Sequence, residues 1–287
     1  MTFATTDTLT KQQFIQYYRQ ILLPEVEELG QQKLLNQHLI IIGVGGLGTH
    51  VAQQLTAAGI GHLYLVDDDK IESSNLPRQI LFNPESIGQY KVSHAAAELI
   101  KLNPDVKVTA YAERFSKDFS ESLFAGNSAL KQAYEDERLI LLDCSDNMPT
   151  RQLLNHWCAR HFIPLVSASV SAFSGQLMLI DGKNTPEAGC YQCVFSSLDT
   201  QQNCQSMGVL GTAVSLVASM QALTAMKLVL NIGAVDKYLH IFDGVAMSWH
   251  KVMRHRDVKC PVCRDWPESN KTESMHNVAL TSGETKL

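Results

Sequence analysis

Between His38 and Gly61 the chain passes from a short apolar run through a glycine-rich turn into a stretch of helical periodicity, the feature that most narrows its possible folds. LIIIGVGG at residues 39–46 reads as a buried strand entering a turn, residues 49–58 as a helix, and Gly59 and Gly61 close it. A second strand, HLYLV at residues 62–66, ends in Asp67-Asp68-Asp69. The alternation continues with a helix at 91–102, a strand at 106–112, a charged helical stretch to Arg138, the strand LILLD at 139–143, a helix at 151–161 and a strand at 163–167. Strands separated by helices of this length imply parallel βαβ units, so the expected class is α/β, a doubly wound, Rossmann-like, mostly parallel sheet.

The flanks differ. Residues 12–35 read as helical, with Pro24 ending one short helix. Beyond Ser169, segments 175–180 and 238–243 look like strands of a more antiparallel part. The expected organisation is an N-terminal helical segment at 1–35, a nucleotide-binding α/β part at 36–170, a metal-containing part of the same unit at 171–267, and a flexible polar tail at 268–287.

Charge excludes some functions. With 24 basic and 29 acidic residues in 287, the net charge of −5 has the wrong sign for gripping nucleic acid through its phosphates. The N-terminus lacks an apolar run behind a basic start, which argues against export. The most apolar stretch, residues 213–230, carries Ser215, Ser219, Gln221, Thr224 and Lys227 at helical intervals, which suits a buried helix better than a membrane span. A reduced, cytoplasmic setting is expected, in which paired cysteines mean metal or catalysis.

Gly43-Val44-Gly45-Gly46-Leu47-Gly48 fits G-x-G-x-x-G between strand and helix, where the backbone can approach a polyphosphate and the helix N-terminus offers free N–H groups. A tight turn without a ligand has the same spacing. Asp67, nineteen positions after Gly48, can accept from ribose hydroxyls, and the pair points to an adenine nucleotide without separating NAD from ATP. The run Ser73-Ser74-Asn75-Leu76-Pro77-Arg78-Gln79 and then Lys91 leans toward phosphate chemistry, because Arg78 and Lys91 can supply cations that a nicotinamide pocket does not need; both can equally be solvated surface charges. Asp143-Cys144-Ser145-Asp146-Asn147 closes the fourth strand, where open α/β sheets bind ligands. Asp146 is there placed to hold Mg²⁺, while Asp146 or Asn147 can also cap the next helix.

Seven cysteines complete the inventory. Cys190-Tyr-Gln-Cys193 and Cys260-Pro-Val-Cys263 are two CxxC pairs, and each two-residue spacer lets both thiolates reach one tetrahedral ion, so the four suit a closed structural Zn²⁺ site. Cys158 falls within an apolar helical pattern and Cys144 abuts a strand end. Cys204, in a polar loop before the long apolar helix, is either a reactive thiol or an incidental one.

YRQILL at residues 18–23, the GVGGLG turn, the SNLPRQ segment, Lys91, CSDN, CYQC, NCQSMGVLG and CPVC stand in the order seen in the ThiF/MoeB/HesA family, the bacterial relatives of ubiquitin-activating enzymes. The chain resembles that family over residues 14–266, most closely its branch acting on the sulfur carrier ThiS. The resemblance implies MgATP-dependent adenylylation of a carrier's C-terminal Gly-Gly carboxylate. It puts Gly46 on the phosphates, Asp67 on the ribose, Asn75, Arg78 and Lys91 on the triphosphate, and Asp146 on Mg²⁺. Gly43, Gly45, Gly48, Ser74 and Asn147 lie in the same nucleotide-binding segments. Arg19 resembles an arginine reaching into a neighbouring protomer, which implies a homodimer, and Cys204 one that joins the carrier through an acyl disulfide. The part at 171–267 becomes carrier-binding. No rhodanese domain follows the second cysteine pair, so a separate persulfide donor is expected. Pro77, Ser145 and Thr212 depart from the usual family residues Gln, Thr and Pro. The alternatives are the same reaction on a MoaD-type carrier, an NAD-dependent dehydrogenase, and a non-catalytic scaffold for a ubiquitin-like partner.

Overall fold

The computed structural model describes residues 8–195, 208–233 and 235–268. Its centre is one eight-stranded sheet, with β1 (His38–Ile42), β2 (His62–Val66), β3 (Lys107–Tyr111), β4 (Leu139–Asp143), β5 (Leu165–Ser171), β6 (Ser174–Ile180), β7 (Tyr238–Asp243) and β8 (Ser248–Met253). The order is β3-β2-β1-β4-β5-β6-β7-β8. The first five strands pair in parallel and the last three antiparallel, as the α/β reading with an antiparallel continuation expects.

The helices are α1 (Lys11–Gln16), α2 (Tyr18–Ile21), α3 (Glu27–Leu35), α4 (Gly46–Ala58), α5 (Lys91–Leu102), α6 (Lys117–Ser122), α7 (Ser128–Glu135), α8 (Met148–His161), α9 (Tyr191–Val194) and α10 (Gly211–Leu230). Three boundaries depart from the sequence reading. The N-terminal stretch divides into three short helices, Pro24 lying between the second and third; the charged stretch before Arg138 divides into α6 and α7, with Asn127 capping the second. Strand β8 carries no apolar alternation because it is the sheet edge, exposed at five of its six positions.

Why the inner strands are apolar throughout is visible in how they divide their side chains. Leu39 and Ile41, Leu63 and Leu65, and Ile140 and Leu142 enter one core with residues of α3, α4, α5 and α10. Ile40 and Ile42, Tyr64 and Val66, and Leu139 and Leu141 enter a second core with residues of α7, α8 and the cysteine pairs. Successive side chains point to opposite faces, so a strand covered on both sides has no solvent face for polar residues. Helix α10 is long and apolar enough to cross a membrane by composition, yet it packs on α4, β5 and β6 and places Val214, Val217, Ala218, Ala222 and Ala225 in the first core. Gln221, fully buried in the middle of α10, donates from Nε2 to the carbonyls of Asp143 and Val166, each at 2.9 Å, and so ties the helix to the end of β4 and the start of β5.

A polar knot closes the opposite end of the sheet. Tyr64 Oη lies 3.0 Å from His38 Nδ1 and 3.1 Å from His62 Nδ1, and the His62 ring stacks on Tyr64 at 4.0 Å between centroids. Burial, aided by nearby positive charge, pushes both histidines down to about 4. Since the unfolded chain takes up these protons near pH 6.5 and the folded chain only near pH 4, their contribution is complete above about pH 6.5 and lost as the pH falls toward 4. Allowing for their partial exposure, roughly 1–2 kcal/mol of acid destabilisation per ring is expected, and urea titrations from pH 7 to pH 4 should show a shallower fall in His62→Gln.

Candidate functional site

Strand order reverses between β2-β1 and β4, and the carboxyl ends of these strands meet there, the place where open α/β sheets bind ligands. The glycine turn leads from β1 into α4. Gly43 has φ +88°, and a Cβ on it would stand 2.7 Å from the carbonyl oxygen of Cys144, so the turn lies directly against the end of β4. A Cβ on Gly48 would come within 1.9 Å of the Gly43 carbonyl oxygen, which makes glycine the only residue that closes the turn on itself. At Gly45 the protein sets no such limit: the nearest atom to a Cβ would be Gln79 Nε2 at 3.7 Å. Gly45 is also the N-cap of α4, and no side chain caps it. The first-turn N–H groups thus face an open cradle of the kind that seats a phosphate.

Asp67 is held beside this turn. Its Oδ2 accepts from Val44 N–H at 2.7 Å and its Oδ1 from Asp69 N–H at 2.8 Å. Burial raises its pKa, while Lys91 and these two N–H groups pull it back toward the ionised form. Each oxygen keeps acceptor capacity for a hydroxyl. Lys91, buried at the start of α5, makes its ion pair with Asp69 at 2.7 Å, the Asp69 side chain being 66% exposed. The Arg78 stem lies against Gly46, its Cγ and Cδ each 3.7 Å from a Cβ position there, and Arg78 Nη1 donates to the Ser74 carbonyl at 2.9 Å. Asn75 is buried, accepting from Glu72 N–H at 3.1 Å, and Ser74 is exposed beside it.

The loop after β4 separates two roles that the sequence left open. Asn147 caps α8, its Oδ1 accepting from Thr150 N–H at 3.0 Å. Asp146 is exposed and does not itself cap the helix, its Oδ1 accepting only from Asn147 Nδ2 at 3.4 Å among the described residues. The loop is pinned from below by Asp143, whose Oδ1 accepts the N–H and hydroxyl of Ser145 at 3.0 and 2.6 Å and whose Oδ2 accepts the Ser167 hydroxyl at 2.7 Å. Ser145, in place of the more usual threonine, keeps the hydroxyl this requires. An exposed carboxylate on a braced loop suits a hard, oxygen-seeking cation such as Mg²⁺.

The structure therefore gathers the glycine turn, Asp67, Ser74, Asn75, Arg78, Lys91 and the Asp146 loop around the ends of β1, β2 and β4. It leaves Arg19 apart, exposed on α2 and without an ion pair among the described residues. Cys204 lies outside the described residues, as does the tail from residue 269. Sequence reasoning passed over Asp143, Gln221 and Gln79, because polar residues that act by burial leave no spacing motif.

The four paired cysteines converge in the second core, Cys190, Cys260 and Cys263 within it and Cys193 packed against it. Their Sγ atoms all lie within 4.8 Å of one another, with Cys190 to Cys260 at 3.7 Å and Cys193 to Cys263 at 3.4 Å. Tetrahedral Zn²⁺ with ligands at about 2.3 Å requires sulfur pairs about 3.8 Å apart, so these side chains fit that ion. The S–H of Cys190, with the S–H of Cys263 and Asp257 N–H behind it, favours thiolate at Cys193. Asn155 Nδ2 approaches Cys190 Sγ at 3.5 Å, and Trp266 Nε1 donates to the Ala159 carbonyl at 3.3 Å, so α8 is bound to the cluster from both sides.

The ThiF family model matches residues 17–262. The chain is 41% identical over 253 residues to the sulfur carrier protein ThiS adenylyltransferase of Escherichia coli strain K12, covering 87% of this chain and 95% of that one. It is 36% identical over 264 residues to the adenylyltransferase and sulfurtransferase MOCS3 of Mus musculus, covering 90% of this chain and 54% of that one. Among solved structures, E. coli MccB with ATP superposes with a TM-score of 0.70 at 24% identity, covering 86% of this chain and 74% of that one, a likeness of fold.

Proposed function

This chain belongs to the ThiF family, and from that premise we propose that it adenylylates the C-terminal Gly-Gly carboxylate of a ubiquitin-like sulfur carrier of the ThiS kind, preparing thiocarboxylate formation for thiazole synthesis in thiamine biosynthesis. The observation that carries the reading is the uncapped N-terminus of α4 opening on Gly45, with Arg78, Lys91 and the Asp146 loop assembled around it. A carboxylate is a poor electrophile until one of its oxygens joins a good leaving group. Attack on the α-phosphate of ATP makes that group, with pyrophosphate departing.

The residues divide this work by chemistry. The α4 N–H groups hold phosphate oxygens without a mobile charge, and Asp67 orients the ribose. Arg78 and Lys91 offset the charge that grows on pyrophosphate, Lys91 exchanging Asp69 for a phosphate oxygen. Mg²⁺ bound by Asp146 would supply further charge neutralisation on the phosphates. Zn²⁺ in the closed Cys190, Cys193, Cys260 and Cys263 set would be structural, bracing the part at 171–267 that receives the carrier.

Arg19 stands between Tyr18 and Leu22, which are 44% and 54% exposed, and a homodimer that covers this apolar strip would carry Arg19 into the partner's site. The cytoplasm is the compartment that suits the chain, since cysteine pairs gathered for one metal ion suit a reducing setting. Persulfide sulfur then comes from a separate donor protein. With Cys204 joining the carrier through an acyl disulfide during sulfur transfer, Cys204→Ser is expected to leave ATP–pyrophosphate exchange intact and to lower thiocarboxylate yield several-fold, which mass spectrometry of the carrier would measure. Equal yield would remove Cys204 from the reaction.

The experiment that tests the function is incubation of the protein and MgATP with ThiS-type and MoaD-type carriers, followed by intact-mass measurement. Adenylylation of the ThiS type is the expected result. Adenylylation of the MoaD type alone would move the chain to molybdopterin synthesis, and formation of neither product would overturn the proposal.

A further inference from the structure

Gln79 follows Arg78 in the loop that faces the glycine turn, and its surroundings are unusual for an amide. The residue is 3% exposed, and its Oε1 is fully buried without a hydrogen-bond partner among the described residues. Its Nε2 is the atom nearest to the missing side chain of Gly45, 3.7 Å from where a Cβ would stand. The backbone around it is fixed, since both Arg78 N–H and Gln79 N–H are donated to the Asn75 carbonyl, at 3.1 and 3.0 Å, and Phe82 N–H is donated back to Gln79 at 3.0 Å. A buried amide oxygen with no partner costs folding energy that an apolar side chain of the same volume would not. A polar group kept under those terms, and turned toward an uncapped helix N-terminus, is placed for a ligand.

We propose that Gln79 is a further nucleotide-binding residue, donating from Nε2 to a phosphate oxygen seated over Gly45. This rests on the adenylylation reading and adds to it a neutral donor beside the turn. A neutral amide suits this position because a cation buried as deeply would need a permanent counter-charge, whereas the amide withstands burial between turnovers. Arg78 beside it is half-buried and can supply the positive charge. The pair then separates two tasks: Gln79 fixes where the phosphate sits, and Arg78 neutralises what leaves.

The test uses the full chain and Mg²⁺ with ATP alone, so that no carrier is involved. Calorimetric titration is run on the unsubstituted protein, on Gln79→Met, which keeps the volume and removes the donor, and on Gln79→Glu, which differs at one terminal group and brings a negative charge toward the phosphate. The expected result is a Kd for ATP raised ~10-fold in Q79M and further in Q79E, as loss of a charge-assisted hydrogen bond predicts. The ligand-free melting temperature of Q79M should be equal to or above that of the unsubstituted protein. Affinities unchanged within about twofold, or a lower Q79M melting temperature with unchanged affinity, would overturn the inference and leave Gln79 a packing residue. No ATP binding by the unsubstituted chain would overturn the adenylylation reading as well, which separates the two failures.

Discussion

Asp146→Ala is expected to lower ATP–pyrophosphate exchange by at least ~100-fold while moving the melting temperature by no more than about 1 °C. The two halves of this expectation come from different atoms. Asp146 is exposed and the shape of its loop is set by Asp143, Ser145 and the guanidinium of Arg151, which donates to the Ser145 carbonyl at 2.6 Å. Removing the Asp146 carboxylate therefore leaves the brace intact, and under the proposed function what is lost is an oxygen ligand for Mg²⁺ and the charge neutralisation that ion would supply. Asp143→Asn provides the contrast. It weakens acceptance from the Ser145 and Ser167 hydroxyls at a buried position and should lower stability along with exchange. Full exchange by Asp146→Ala would remove it from the reaction, and exchange lost only in step with stability would make its role structural.

Cys263→Ser is expected to release the metal and to lower the melting temperature by roughly 10 °C or more, read by metal analysis of the purified protein and by thermal unfolding. The size follows from where the cluster sits. Cys190, Cys260, Cys263 and Trp266 belong to the second core, so losing a bound ion would untie residues 260–266 from α8 and from the buried sheet face. A chelator strong enough to strip Zn²⁺ should reproduce the effect in the unsubstituted chain. A metal-free protein with an unchanged melting temperature would show that packing alone holds this region.

Much of the fold was legible in the sequence because its determinants are local. Apolar runs of strand length, glycines at a strand-to-helix turn and helices of fitting length are set by each segment's own backbone and burial needs, which is why β2, β4, α5 and β7 fall where the pattern puts them. Strand β8 escaped because an edge strand with solvent on most sides has little apolar pattern to show. The cysteine pairs announced themselves for the same local reason, since a two-residue spacer is itself a metal-binding geometry.

Which polar residue does which task was another matter. Asp143, Asp146 and Asn147 stand within five residues, and any of them could have capped a helix, held an ion or braced a loop. Only their neighbours decide. Asp143 points down to Ser167, Asn147 turns into α8, and Asp146 is left facing solvent. Lys91 meets Asp69 from 22 positions away, and Gln221 reaches the end of β4 from 78 positions away. The sequence by itself determined the layered α/β architecture, the phosphate-type turn and the four-thiol cluster, because those follow from short-range spacing and alternation. Tertiary structure decided the division of labour within the site, because burial and hydrogen-bond partnership are properties of side chains brought together from distant segments, and no single segment carries them.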